Sequence, residues 1–220
     1  MKILNKDFLI YSIIKKHSIL IIVILHAVGV LGILSPYKDL FVPLTPINLL
    51  FSFVLFMISF QKLNNKFIFF CTFCYIFSYL IELTGVQTGG IFGTYHYGSS
   101  LGVKLWGTPL LIGINWLMLS LSVVRLVNTK EIHPLLKIIL ASLFMVLLDF
   151  LIEPIAIDLN FWNWENNIIP LKNYIAWFFV SMAIFSIYFG CKIQIEEKKD
   201  VVYYFYSIQL AFFGLLNILI

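Results

Sequence analysis

Charged residues are scarce in this sequence. They make up 12% of its 220 residues, while 61% are hydrophobic and the mean hydropathy is +0.97. A water-soluble domain of this length needs a polar exterior, and there are too few polar side chains to make one. The formal charge of +4 does not signal nucleic-acid binding, because the basic residues lie singly or in pairs at the ends of apolar runs. Cysteine is rarer still. Three thiols give no disulfide framework, and the Cys71–Cys74 pair sits inside an apolar run without partner ligands. There is no HExxH, no histidine cluster for a di-iron desaturase, and no nucleotide-binding glycine motif opening a helix. The last apolar run, residues 201–220, has no lysine for a retinal Schiff base. DFLIE at 149–153 is at best half of the paired Asp-rich motifs of a magnesium-dependent prenyltransferase.

What the sequence does have is a series of long apolar runs. Seven lie near residues 18–35, 44–61, 67–83, 105–127, 135–157, 174–191 and 201–219. At roughly 20 residues per crossing, they fill the chain and leave no room for a separate soluble domain. The expected fold is therefore all-α: a polytopic membrane bundle of about seven transmembrane helices, forming a single domain over residues 1–220. The first run follows Lys2, Lys6, Lys15 and Lys16 but lacks a small-x-small cleavage site, so it reads as an uncleaved span. With the N-terminus cytoplasmic, the inner segments hold Lys2, Lys6, Lys15, Lys16, Lys62, Lys66, Arg125, Lys130, Lys137, Lys192, Lys198 and Lys199. The outer segments hold only Lys38, Lys104 and Lys172. That asymmetry predicts a protein integral to the cell membrane, with its N-terminus inside and C-terminus outside.

One segment breaks the pattern. Residues 84–104 contain Gly85, Gly89, Gly90, Gly93, Gly98 and Gly102, with Gly107 close behind, in a chain otherwise poor in glycine. Such density predicts non-helical backbone. Its aromatic content argues against a solvated loop, so it is expected to be a re-entrant or cap-like segment closing the outer end of a pocket.

Charges inside the runs point to the same level. Glu82 falls near the outer end of the third, and Asp149 and Glu153 in the outer half of the fifth, on one helical face by their i, i+4 spacing. A carboxylate facing hydrocarbon costs several kcal/mol, so all three are expected to face the bundle interior. His96, in the Gly-rich segment, joins them at this level. Tyr95, His96, Tyr97, Trp106, Asn115, Trp116, Trp164 and Asn173 are the candidate substrate-binding residues around the three acids. Asp158 and Glu165 read as solvated loop charges, and Trp162 and Trp177 as members of an aromatic belt. Close carboxylates in a dry pocket do not all ionise, which makes a general acid–base pair the natural chemistry.

The motifs carrying these residues resemble a known family. The stretch from Glu82 through Thr84-Gly85, Gly89-Gly90, Tyr95-His96-Tyr97-Gly98 and Leu101-Gly102 to Pro109 and Asn115-Trp116 is similar to the signature of the carotenoid biosynthesis membrane proteins. So is a second block, Asp149-Phe-Leu-Ile-Glu-Pro-Ile-Ala156 with Phe161-Trp-Asn-Trp164 and Asn173-Tyr-Ile-Ala-Trp177. Together they cover roughly residues 80–180. The family includes bisanhydrobacterioruberin hydratase and other carotenoid hydratases.

The resemblance implies addition of water to the terminal double bond of an acyclic carotenoid end group, giving a tertiary 1-hydroxyl without a cofactor or metal. Glu82, Asp149 and Glu153 carry over as acidic positions within the motifs. Asp149 or Glu153 would donate the proton, and the other, or Glu82, would position the water. The implied partners are an acyclic or monocyclic carotenoid within the bilayer, membrane lipid and other carotenoid-synthesising enzymes. Two alternatives stand beside this. A carotenoid cyclase also begins by protonating an alkene, and a non-catalytic lipid-binding or proton-coupled transport protein would use the same buried acids differently.

Overall fold

The computed structural model describes residues 6–60, 62–129, 131–195 and 201–220, with side chains from residue 17 onward. Lys2, Lys130, Lys198 and Lys199 of the basic set lie outside the described residues. The chain forms a bundle of long helices: α1 (Lys6–Ile33), α2 (Lys38–Phe41), α3 (Thr45–Ile58), α4 (Asn65–Thr88), α5 (Leu111–Asn128), α6 (Pro134–Asp158), α7 (Leu171–Gly190) and α8 (Val201–Leu219). Among the described residues six helices are long and apolar enough to cross a membrane, with α2 and α3 counting as one unit. The apolar part of α1, His17–Ile33, is a shorter seventh. Large apolar side chains such as Leu31, Phe69, Phe150 and Phe179 face outward, where a bilayer rather than water is their favourable solvent.

α5 is the central helix, packed against α3, α4, α6, α7 and α8. Every residue from Trp116 to Val124 is buried. A helix apolar around its whole circumference has no face to give to solvent, so it takes the middle. Gly113 lets it approach α4, since a Cβ there would come within 2.9 Å of the Tyr75 backbone oxygen. α6 packs most extensively on α7, burying Asp149, Ile152, Glu153 and Ala156 along one face.

Two boundaries differ from the sequence expectation. The third span runs on through Gly85 to Thr88 rather than ending at 83, and stops where Gly89 adopts a left-handed φ of 62°. Gly85 lies within this helix, where its missing side chain leaves room for Phe92, whose ring carbon would lie 2.6 Å from a Cβ. The fourth span begins at Leu111, not 105, because residues 104–109 form a tight hairpin of β2 (Lys104–Leu105) and β3 (Thr108–Pro109). Its central residues, Trp106 and Gly107, both have positive φ, as a type I′ turn requires.

The Gly-rich segment is a cap. Within it β1 (Tyr95–Tyr97) pairs antiparallel with β4 (Trp162–Trp164) from the α6–α7 connection, with Tyr95 opposite Trp164, His96 opposite Asn163 and Tyr97 opposite Trp162. The all-α expectation is thus modified by these four short strands. Period-two alternation turns the four flanking aromatics inward and leaves His96 exposed. Gly98 secures the end of β1. Its N–H donates to Phe161 O at 2.9 Å, and a Cβ there would overlap the Asn160 carbonyl oxygen.

Candidate active site

Three carboxylates are buried at the cap end of the bundle, each held by neutral donors. Glu82 Oε2 accepts from the Tyr95 and Tyr97 hydroxyls, both at 2.7 Å, and its Oε1 accepts from Trp116 Nε1 at 2.9 Å. Burial and the adjoining Glu82 carboxylate push both phenols well above the ordinary tyrosine range, so they remain O–H donors. Glu153 Oε2 accepts from Trp162 Nε1 at 3.0 Å and Trp164 Nε1 at 2.6 Å. The Asn173 amide bridges the two acids of α6. Its Nδ2 donates to Asp149 Oδ2 at 2.7 Å and to Glu153 Oε1 at 2.9 Å. Asp149 is fully buried, and its Oδ1 has no hydrogen-bond partner among the described residues.

Each strand of the cap serves one acid. The tyrosines of β1 reach Glu82, and the tryptophans of β4 reach Glu153. Leaving a buried carboxylate without donors costs several kcal/mol, so the pairing of β1 with β4 and the burial of the acids support one another.

Two spaces adjoin these groups. A chamber of about 20 Å³ is lined by Glu82, Glu153, Asn173, Tyr95, Tyr97 and the rings of Phe92, Trp162, Trp164 and Trp177. That is room for a single water molecule, with several polar partners facing it. Beside it lies an apolar cavity of about 330 Å³ between α1, α3, α5 and α8. Ile112 and Trp162 line both spaces and form the wall between them. Trp177 also stacks on Trp116, with ring centroids 4.1 Å apart.

The structure brings Glu82, Asp149, Glu153, Tyr95, Tyr97, Trp116, Trp164 and Asn173 into one cluster. It leaves three other candidates outside. His96 points away from the acids, as its place between two inward residues of a strand dictates, and Trp106 is 69% exposed at the hairpin tip. Asn115 lines the apolar cavity rather than the acidic chamber. Asp158 pairs with Lys38 on the surface. Sequence reasoning passed over Trp162 and Trp177 as belt residues. The signal for Trp162 was the Trp-Asn-Trp alternation, which mirrors Tyr-His-Tyr. It also missed Ile112 and the polar residues of α1 and α8 that line the cavity, because a single His or Gln in an apolar run carries no motif. Among the described residues, no group of three or more His, Cys, Asp or Glu side chains converges as a metal-ligand set.

These features define a multi-pass integral membrane protein with an enclosed acidic site at one end of its helical bundle. The chain belongs to the carotenoid biosynthesis protein family, whose sequence profile matches residues 45–220. It is also 29% identical over 124 residues to bisanhydrobacterioruberin hydratase of Haloarcula japonica, a match covering 52% of this chain and 42% of that protein. The chain therefore spans less than half of the relative's length in this match. No solved structure matches it.

Proposed function

We propose that the protein is a carotenoid hydratase, adding water across the terminal double bond of an acyclic end group. The observation that carries this reading is the chamber the size of one water, set between two carboxylates and separated from an apolar cavity by one layer of side chains. Hydration needs three things in one place: an acid strong enough to protonate an alkene, a held water, and a dry seat for the hydrocarbon.

Glu153 is assigned as the proton donor, because it faces the chamber while its neighbour Ile152 lines the cavity. Its proton adds to the less substituted alkene carbon, leaving a tertiary cation on the other. The rings of Trp162, Trp164 and Trp177 line the chamber, and their π-electrons would stabilise that cation. Water held by Glu82 and the tyrosines then forms the C–O bond and gives up a proton to Glu82. Transfer of that proton back to Glu153 through the next water resets the site, and the balance is one water added. Asp149 lines neither space, so it acts through Asn173 as a positioning residue.

Expression in a bacterium that accumulates an acyclic carotene tests the reaction. Pigments whose mass rises by one water are expected on mass spectrometry. Pigments of unchanged mass but cyclised end groups would move the assignment to the cyclase alternative, and no change at all would sink both.

The lysine asymmetry supports a cap on the outer face of the membrane. In cells carrying His96→Cys, a membrane-impermeant maleimide is expected to label that exposed position, and not the exposed native Cys191 at the opposite end of α7. Inverted vesicles should give the reverse pattern, and labelling of Cys191 alone in intact cells would refute this orientation.

A further inference from the structure

The apolar cavity contains a polar pair that the hydration chemistry does not use. His26 on α1 and Gln209 on α8 are both buried, and both line the cavity. Their hydrogen bonds fix each other's orientation. His26 Nδ1 lies 2.8 Å from the Ile22 carbonyl oxygen, which only accepts, so Nδ1 carries the ring proton. The other ring nitrogen, Nε2, is 2.8 Å from Gln209 Nε2 and accepts from that amide N–H. With the amide in this orientation the ring is the neutral tautomer, since an imidazolium would set two donors against one another. With one N–H of its amide turned to His26, Gln209 keeps its carbonyl oxygen, Oε1, as its one acceptor, beside the second N–H of the same amide.

Oε1 has no hydrogen-bond partner among the described residues and is not sealed from the cavity. A bare amide oxygen in an apolar wall costs free energy unless a donor reaches it. The other polar residues of the wall, Thr45, Asn48 and Asn115, are neutral too, and no lysine, arginine, aspartate or glutamate lines the cavity. A fatty acid or an isoprenoid diphosphate would find no counter-charge here. At about 330 Å³ the cavity suits an end group rather than a whole carotenoid.

We propose that Gln209 Oε1 accepts a hydrogen bond from a hydroxyl on the ligand, making this cavity a recognition site for an uncharged isoprenoid end group that carries an alcohol near the reacting double bond. The inference rests on the hydratase reading for the ligand's isoprenoid class, and goes beyond it in naming a substrate feature and the residue that reads it. His26 is a positioning residue, setting the amide so that its oxygen faces the ligand.

The test uses the full chain in detergent and two short probes, the acyclic terpene alcohol linalool and its dehydration product myrcene. Binding is followed by tryptophan fluorescence, to which Trp162 in the cavity wall is sensitive. Linalool is expected to bind the unaltered protein about tenfold more tightly than myrcene, the worth of one buried hydrogen bond. Gln209→Leu is expected to erase the preference while keeping the affinity for myrcene, and Asn115→Leu to retain the preference. Equal binding of both probes by the unaltered protein would overturn the proposal without recourse to any variant. So would a preference that survives Gln209→Leu, or one abolished by Asn115→Leu. Failure here is separable from failure of the hydratase reading. Glu153→Gln is expected to keep the linalool preference while losing hydrated pigment, whereas a preference seen in a protein that never hydrates would leave this site standing and remove the assigned reaction.

Discussion

Replacing Glu153 by glutamine is expected to lower hydration by about two to four orders of magnitude, the usual worth of a positioned general acid. The folded protein is expected to survive. A glutamine carbonyl can still accept from Trp162 and Trp164, which at present share Glu153 Oε2. Its amide nitrogen, however, would meet the Nδ2 of Asn173, and two donors cannot share a hydrogen bond. Asn173 must then turn its oxygen toward residue 153, withdrawing its N–H from Asp149 as well. Glu153→Gln thus acts on both acids of α6, and Asp149→Asn separates the effects. As a positioning change, Asp149→Asn is expected to cost about tenfold and to move the pH profile. A loss with Asp149→Asn equal to that of Glu153→Gln, at an unaltered pH profile, would make Asp149 the donor instead. Pigment composition and the rate of product formation in isolated membranes measure both.

The second large effect is expected from Gly98→Ala, which touches no acid at all. Its Cβ would overlap the Asn160 backbone oxygen, a group fixed in the turn that leads from α6 into β4. Overpacking of this kind costs about 1–3 kcal/mol when the surroundings can yield. Here yielding means sliding β1 against β4, and so shifting Tyr97 and Trp162, which hold different acids. A displacement of about 1 Å at the reacting groups is enough for roughly a hundredfold loss of rate. Gly190→Ala is the matched control, because nothing lies within 4 Å of a Cβ there. Thermal melting in detergent together with hydration rate checks the pair, and equal behaviour of the two variants would refute the role given to the cap.

How far the sequence revealed this site depends on what kind of signal each residue leaves. Glu82, Asp149 and Glu153 were legible because a carboxylate in an apolar run has few affordable places to point. Their donors were only partly so. Tyr95 and Tyr97 lay in the Gly-rich segment and drew notice, but the partnership of Tyr-His-Tyr with Trp-Asn-Trp links residues more than sixty positions apart, and no local pattern states it. His96 illustrates the converse. Its place at the level of the acids suggested a substrate-binding residue, and strand alternation turned it outward. Span boundaries shifted for a similar reason, since Gly85 reads as a helix breaker until Phe92 is seen to need its space. The cavity was invisible in the sequence, being a property of four helices together.

The division of labour in the cap bears on how the protein is made. Insertion into the membrane proceeds from the N-terminus, so α4 and Glu82 enter the bilayer with Tyr95 and Tyr97 following closely, before α6 or the Trp-Asn-Trp strand has been synthesised. Glu82 can gather its two phenol donors early, from its own neighbourhood in the chain. Asp149 and Glu153 must wait for Trp162, Trp164 and Asn173, which emerge after them. Biogenesis therefore has an order written into it, in which the α4 half of the site is prepared first and the closing of one strand on the other completes it.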